Sequence, residues 1–164
     1  SGSLGQGLSA AIGAALSKKL NKDNHLVYVL MGDGELQEGQ LWEAAMFAPH
    51  NKVDNLIAIV DYNGQQIDGS TENVLSLGNL ESKWKAFGWQ VLEMNGNDMK
   101  DTLRGLAEAK TLTGKGKPVV ILMRTEMGNG VDFMMGSHKW HGVAPNDEQL
   151  ASALAQLEET LGDY

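Results

Sequence analysis

Apolar residues along this chain alternate between two kinds of pattern. Unbroken runs at Leu26-Val27-Tyr28-Val29-Leu30-Met31, at Asn55-Leu56-Ile57-Ala58-Ile59-Val60-Asp61 and at Val119 to Met123 read as strands. The first two are expected to be buried on both faces, as in a parallel sheet covered by helices. Trp89 to Met94 reads as a further strand, third in chain order. Between the runs the spacing turns helical. In residues 4–20, Leu8, Ile12, Leu16 and Leu20 recur every four positions. There Ala11, Gly13, Ala14 and Ala15 predict close packing against another element. Residues 38–48 place Leu41, Ala44, Ala45 and Ala48 on one side, and Pro49 is expected to stop that helix. Leu80 to Phe87 predicts a short helix. Asp98 is placed to cap another reaching about Thr111, and Asn146 to Leu161 a closing one. Residues 63–79 and 125–142 are left as long loops, a length that usually serves function. Strands alternating with helices predict an α/β fold, with a mainly parallel sheet and helices on both faces. Residues 1–164 read as one domain.

Composition narrows this picture. An apolar content of 42% in 164 residues suits a globular domain with a core. The net charge of −8 argues against a nucleic-acid surface. Without cysteine there is no disulfide, thiolate metal site or cysteine nucleophile, which fits a reducing, cytoplasmic setting. No apolar run approaches the roughly 20 residues of a membrane helix. The chain opens Ser-Gly-Ser-Leu without a Met, so the expectation is a domain lacking its N-terminal part.

The chemistry concentrates at two strand ends. Asp33, between Gly32 and Gly34, ends the first run, and Asn63 follows the second, thirty positions later. That separation is about one strand–helix–strand crossover. Parallel neighbours would bring both to one sheet edge, where open α/β sheets bind ligands. A carboxylate and an amide oxygen together suit a hard cation such as Mg²⁺, which in turn holds a diphosphate. Gly34, without a Cβ, lets a phosphate approach the backbone. Taken alone, Asp-Gly is also an ordinary tight turn.

The run Gly32-Asp33-Gly34-Glu35-Leu36-Gln37-Glu38-Gly39, with Asn63 and Ile67-Asp68-Gly69, resembles the thiamin diphosphate motif of transketolases. It is most similar to the N-terminal subunit of transketolases split into two chains. Gly2-Ser3-Leu4-Gly5-Gln6-Gly7 resembles the family's Gly-Pro-Leu-Gly-Gln-Gly loop, with Ser in place of Pro. His138-Lys139-Trp140-His141-Gly142 resembles its His-Gly segment. The resemblance implies the thiamin diphosphate-binding fold, with Mg²⁺ (or Ca²⁺) held by Asp33, the Asn63 side chain and the Gln65 carbonyl. It implies Gly34 on the diphosphate, Leu4 and Ile67 packed on the cofactor, and Gly2 near the aminopyrimidine. His141 would reach the diphosphate and the reacting end of the sugar, and Glu38 and Glu43 would form an interface carboxylate network. The implied reaction moves a two-carbon ketol unit from a ketose phosphate to an aldose phosphate. The glutamate that activates the cofactor would come from a separate pyrimidine-binding domain or subunit, in a homodimer or heterotetramer. The isolated chain would then be inactive.

Other readings stay open. Another thiamin diphosphate enzyme, such as a deoxyxylulose phosphate synthase or a 2-oxo acid dehydrogenase component, shares the Asp33…Asn63 spacing. A cofactor-binding module without activity, or a Mg²⁺-dependent nucleotide binder, would use a similar sheet edge. Glu38 and Glu43 also suit a plain solvated helix start. His25 and His50 read as surface, and His138 as a partner of His141 or an exposed residue. Trp42, Trp84, Trp89 and Trp140 read as core or interface. The methionines read as gap-fillers. Thr113-Gly114-Lys115-Gly116-Lys117 lacks phosphate-loop spacing and reads as a mobile turn. Met127 stands where the family usually has Lys or Tyr.

Overall fold

A computed structural model describes residues 2–157. Helix α1 (Gln6–Leu20) leads into strand β1 (Val27–Gly32), a 3-10 turn (Gly34–Gln37) and α2 (Gly39–His50). Strand β2 (Leu56–Tyr62) is followed by a small hairpin, β3 (Gln65–Gln66) and β4 (Gly69–Ser70), then α3 (Thr71–Leu75) and α4 (Leu80–Ala86). Strand β5 (Gln90–Asn95), α5 (Met99–Leu112), β6 (Val119–Arg124), a 3-10 turn (His138–Trp140) and α6 (Asp147–Leu154) complete it. The main sheet is wholly parallel, in the order β1-β2-β6-β5. The loop expected over 63–79 is therefore partly structured. The closing helix begins after an Asn146–Gln149 capping box, ends at Leu154, and its expected last residues lie partly outside the described range.

Two apolar layers sandwich the sheet, because successive strand residues point to opposite faces. Leu56, Ala58 and Val60 of β2 join Leu8, Ile12, Ala15, Leu41, Ala45 and Trp84 on the face covered by α1, α2 and α4. Ile57 joins Ile121, Met94 and Ala109 on the face covered by α5. Strand β1 departs from the expectation of burial on both faces. Val27, Val29 and Met31 pack inward, whereas Tyr28 is 45% and Leu30 66% exposed. It is an edge strand, and among the described residues no helix covers its α5 side. The small-residue stripe of α1 is likewise only half used, since Ala15 is buried but Gly13 and Ala14 are exposed.

Pro49 does not stop α2, which runs one residue past it. Proline in a helix leaves the carbonyl four residues earlier without its usual donor. Here that carbonyl belongs to Ala45, and the Trp89 indole N–H donates to it at 2.8 Å. Trp89 also stacks edge-on to Trp84, and Trp84 lies against Trp42, so the aromatic cluster closes over the helix end. Trp89→Phe keeps an aromatic ring and strips the donor. Urea unfolding should show it less stable by about 1–3 kcal/mol, the cost of an unsatisfied buried acceptor. Adding Pro49→Ala, which restores a backbone N–H, should recover part of that loss.

Candidate functional site

The parallel register of β1 and β2 sets Gly32 opposite Asp61. Beyond this pair both chains leave the sheet at the same edge. The Asp33 N–H donates to the Asp61 carbonyl at 3.1 Å, continuing the pairing past the strand. The Asp33 carboxylate then clasps both departing loops. Its Oδ1 accepts from the Gly34 N–H at 2.8 Å and its Oδ2 from the Gly64 N–H at 2.6 Å. The side chain is only 1% exposed, and among the described residues it has no ion pair. Burial raises its pKa above the usual aspartate value. The Gly64 and Gly34 bonds oppose that shift, and the nearby Asp61 charge adds to it.

Asn63 sits beside this clasp. Its Oδ1 accepts from the Gln65 N–H at 2.8 Å, and its Nδ2 lies 3.5 Å from Asp61 Oδ2. The following β3–β4 hairpin carries Gln65, with Ile67 between its strands. A Cβ on Gly34 would come within 2.8 Å of Gln66 Cβ, so glycine is what lets the turn and the hairpin meet. A buried carboxylate and a neighbouring amide oxygen with a second lone pair are the kinds of donor that a hard cation takes. Among the described residues there is no cluster of three or more His, Cys, Asp or Glu.

Other site candidates stand around this centre. Leu4 (49% exposed) and Ile67 (64%) are large apolar side chains left open, and Gly2 is exposed. A cleft of about 450 Å³ runs from Leu4 and Gly7 past Leu30 to Glu35 and Asp61. Glu38 and Glu43 are exposed at the start and along the length of α2, apart from the Asp33 clasp. Glu43 lines a separate apolar cleft of about 360 Å³ between α1 and α2, with Ile12, Leu16 and Phe47. Glu38 instead lies against Gly5, whose added Cβ would come within 2.9 Å of Glu38 Cβ. His141 is exposed, and its backbone N–H closes a turn on the His138 carbonyl. That turn packs near β4, but no hydrogen bond joins the His141 ring to the clasp among the described residues. His25 and His50 are partly or fully open to solvent, as expected.

Three further residues of the site have no role assigned from the sequence, although Glu35 lies inside the run over residues 32–39. Glu35 accepts from the Gly5 N–H at 2.9 Å and the Gly32 N–H at 3.2 Å, tying the loop before α1 to the end of β1. Asp61 and Thr125 form a hydrogen bond next to Asn63. An acid closing an apolar strand is a visible signal for Asp61. Thr125 has none, because only the β2–β6 register brings it there.

Comparison with known proteins places the chain in a family. The family model described as "Transketolase, thiamine diphosphate binding domain" matches residues 1–162. The chain belongs to the transketolase thiamine diphosphate-binding domain family. One subunit of an apulose-4-phosphate transketolase from Phocaeicola vulgatus is 45% identical over 160 residues, covering 98% of this chain and 56% of that protein. The 6-deoxy-6-sulfo-D-fructose transketolase subunit SqwG from Clostridium sp. strain MSTE9 is 43% identical, covering 96% and 57%. The crystal structure of Campylobacter jejuni transketolase superposes with a TM-score of 0.83 at 35% identity, over 93% of this chain and 25% of that one. This transketolase-family chain thus spans little more than half the length of its subunit-type relatives.

The raised pKa of Asp33 has a direct consequence for stability. A carboxyl whose folded pKa exceeds its unfolded value favours folding at low pH. That contribution is lost as pH rises through the unfolded and then the folded pKa. Unfolding midpoints of the wild type and Asp33→Asn, measured without divalent cations from about pH 3 to about pH 7, should therefore diverge. The difference should move against the wild type as pH rises.

Proposed function

We propose that this chain is the diphosphate-binding part of a transketolase assembled from two kinds of subunit. It would bind thiamin diphosphate through Mg²⁺ and take part in two-carbon ketol transfer from a ketose phosphate to an aldose phosphate. The observation that carries this reading is the buried Asp33 carboxylate, clasping the two strand ends beside the Asn63 amide oxygen. A buried charge of that kind is costly unless a counter-ion meets it. The assembly is supported by the similar proteins, three of which are named as transketolase subunits.

In this reading Asp33, Asn63 Oδ1 and the Gln65 carbonyl would hold Mg²⁺, and Gly34, whose N–H is held by Asp33 Oδ1, would let the diphosphate approach the backbone closely. Thiamin diphosphate, when bound, supplies the nucleophile and the electron sink for breaking and making the carbon–carbon bond. Leu4 and Ile67, both open to solvent here, give it an apolar wall. Gly2 would lie near the aminopyrimidine, as the family resemblance implies. His141, exposed on its turn, would reach the diphosphate and the reacting end of the sugar. Glu38 and Glu43 face a partner across α2, where exposed Met46 and Phe47 supply apolar contact. Carboxylates brought together at such an interface can share a proton between sites. The partner carries the pyrimidine-binding domain and its activating glutamate.

Calorimetry on the full-length protein with its partner tests this. Thiamin diphosphate should bind only when Mg²⁺ is present. Asp33→Ala should abolish that binding, and Asn63→Ala should weaken it by roughly tenfold or more. The reconstituted enzyme should transfer ketol units between sugar phosphates and leave pyruvate untouched. Mg²⁺-independent binding, preference for ATP, or turnover of pyruvate instead would overturn the proposal.

A further inference from the structure

The Asn63 amide has two possible orientations, and only one presents its oxygen as a ligand. The surroundings select that one. Oδ1 accepts from the Gln65 N–H at 2.8 Å. On the other side Nδ2 faces Asp61 Oδ2 at 3.5 Å. A flipped amide would set Nδ2 against an N–H donor and Oδ1 against a carboxylate, two repulsions in place of two attractions. Asp61 is in turn held by Thr125, whose hydroxyl donates to Asp61 Oδ1 and leaves Oδ2 for Asn63. The Thr125 N–H also donates to the Tyr62 carbonyl at 3.4 Å, continuing the β2–β6 pairing beyond Arg124. Arg124 lies over the Tyr62 ring at 3.9 Å, which pins the same strand ends.

We propose that the Thr125–Asp61 pair is a positioning device that fixes the Asn63 amide with its oxygen toward the cation site. The inference rests on the Mg²⁺ reading above and extends it one layer outward, from the ligands to the groups that orient them. Neither Thr125 nor Asp61 need touch the cation. Thr125 acts from the end of β6, the strand on the far side of β2 from β1. The device therefore makes ligand geometry depend on the sheet as a whole.

The threonine permits a clean separation of roles. Its methyl lies within 2.5 Å of where a Cβ on Gly96 would be, so it fills space against the β5–α5 turn. Thr125→Val keeps that packing and removes the donor. Thr125→Ser keeps the donor and removes the methyl. With the full-length protein and saturating thiamin diphosphate, Mg²⁺ affinity is measured by calorimetry and Mn²⁺ affinity by electron paramagnetic resonance. Thr125→Val should weaken both by about tenfold, as expected for loss of a group that orients a ligand. Thr125→Ser should stay within about twofold of wild type, although loss of the packed methyl should lower its thermal unfolding midpoint too. Wild-type affinity in Thr125→Val would overturn the proposal. So would equal weakening in both variants that follows their loss of stability. A wild type that binds no divalent cation would instead sink the Mg²⁺ reading itself, and this inference with it.

Discussion

The Asp33 carboxylate holds this end of the molecule together. Strands β1 and β2 leave the sheet side by side, and their loops would otherwise separate. One buried side chain accepts a backbone N–H from each loop and so ties the two strand ends into one corner. The arrangement carries a cost, since the charge is removed from water without a cationic side chain beside it among the described residues. Burial and the neighbouring Asp61 both push its pKa upward. Strongly perturbed carboxyls of this kind cluster at functional sites.

Much of the rest serves that corner. Gly34 is bare so that the 3-10 turn can touch the β3–β4 hairpin. Glu35 reaches back to Gly5 and Gly32 and fixes the approach of the loop bearing Leu4. Thr125 and Asp61 hold the strand ends from the β6 side. The aromatic cluster of Trp42, Trp84 and Trp89 anchors α2 from beneath, and Trp89 caps the carbonyl that Pro49 frees. By contrast Tyr28 and Leu30 on the sheet, and Met46 and Phe47 on α2, are apolar and open. These are surfaces of a chain that spans about half of its subunit-type relatives.

Local sequence carries the element types. Unbroken apolar runs form parallel strands, and four-residue spacing forms helices, with side-chain caps at Asp98 and Asn146. The Gly-Asp-Gly and Asn pair meets at one edge because a crossover of that length joins neighbouring parallel strands. The small hairpin after Asn63 is invisible in the sequence because strands of two residues leave no period to read. Pro49 misleads because its effect depends on a donor, Trp89, that lies far along the chain.

What the sequence determined by itself was therefore the α/β class, the family motif and the pairing of Asp33 with Asn63, all properties of short segments or of one crossover. Tertiary structure alone decided the strand order, with β6 between β2 and β5, and that β1 would be a half-open edge. It also decided that Thr125 would meet Asp61 and that His141 would sit exposed on a turn near β4. The physical reason is the same in each case. Non-neighbouring segments are brought together by the summed burial of the whole core, and no local pattern encodes which strand lies beside which.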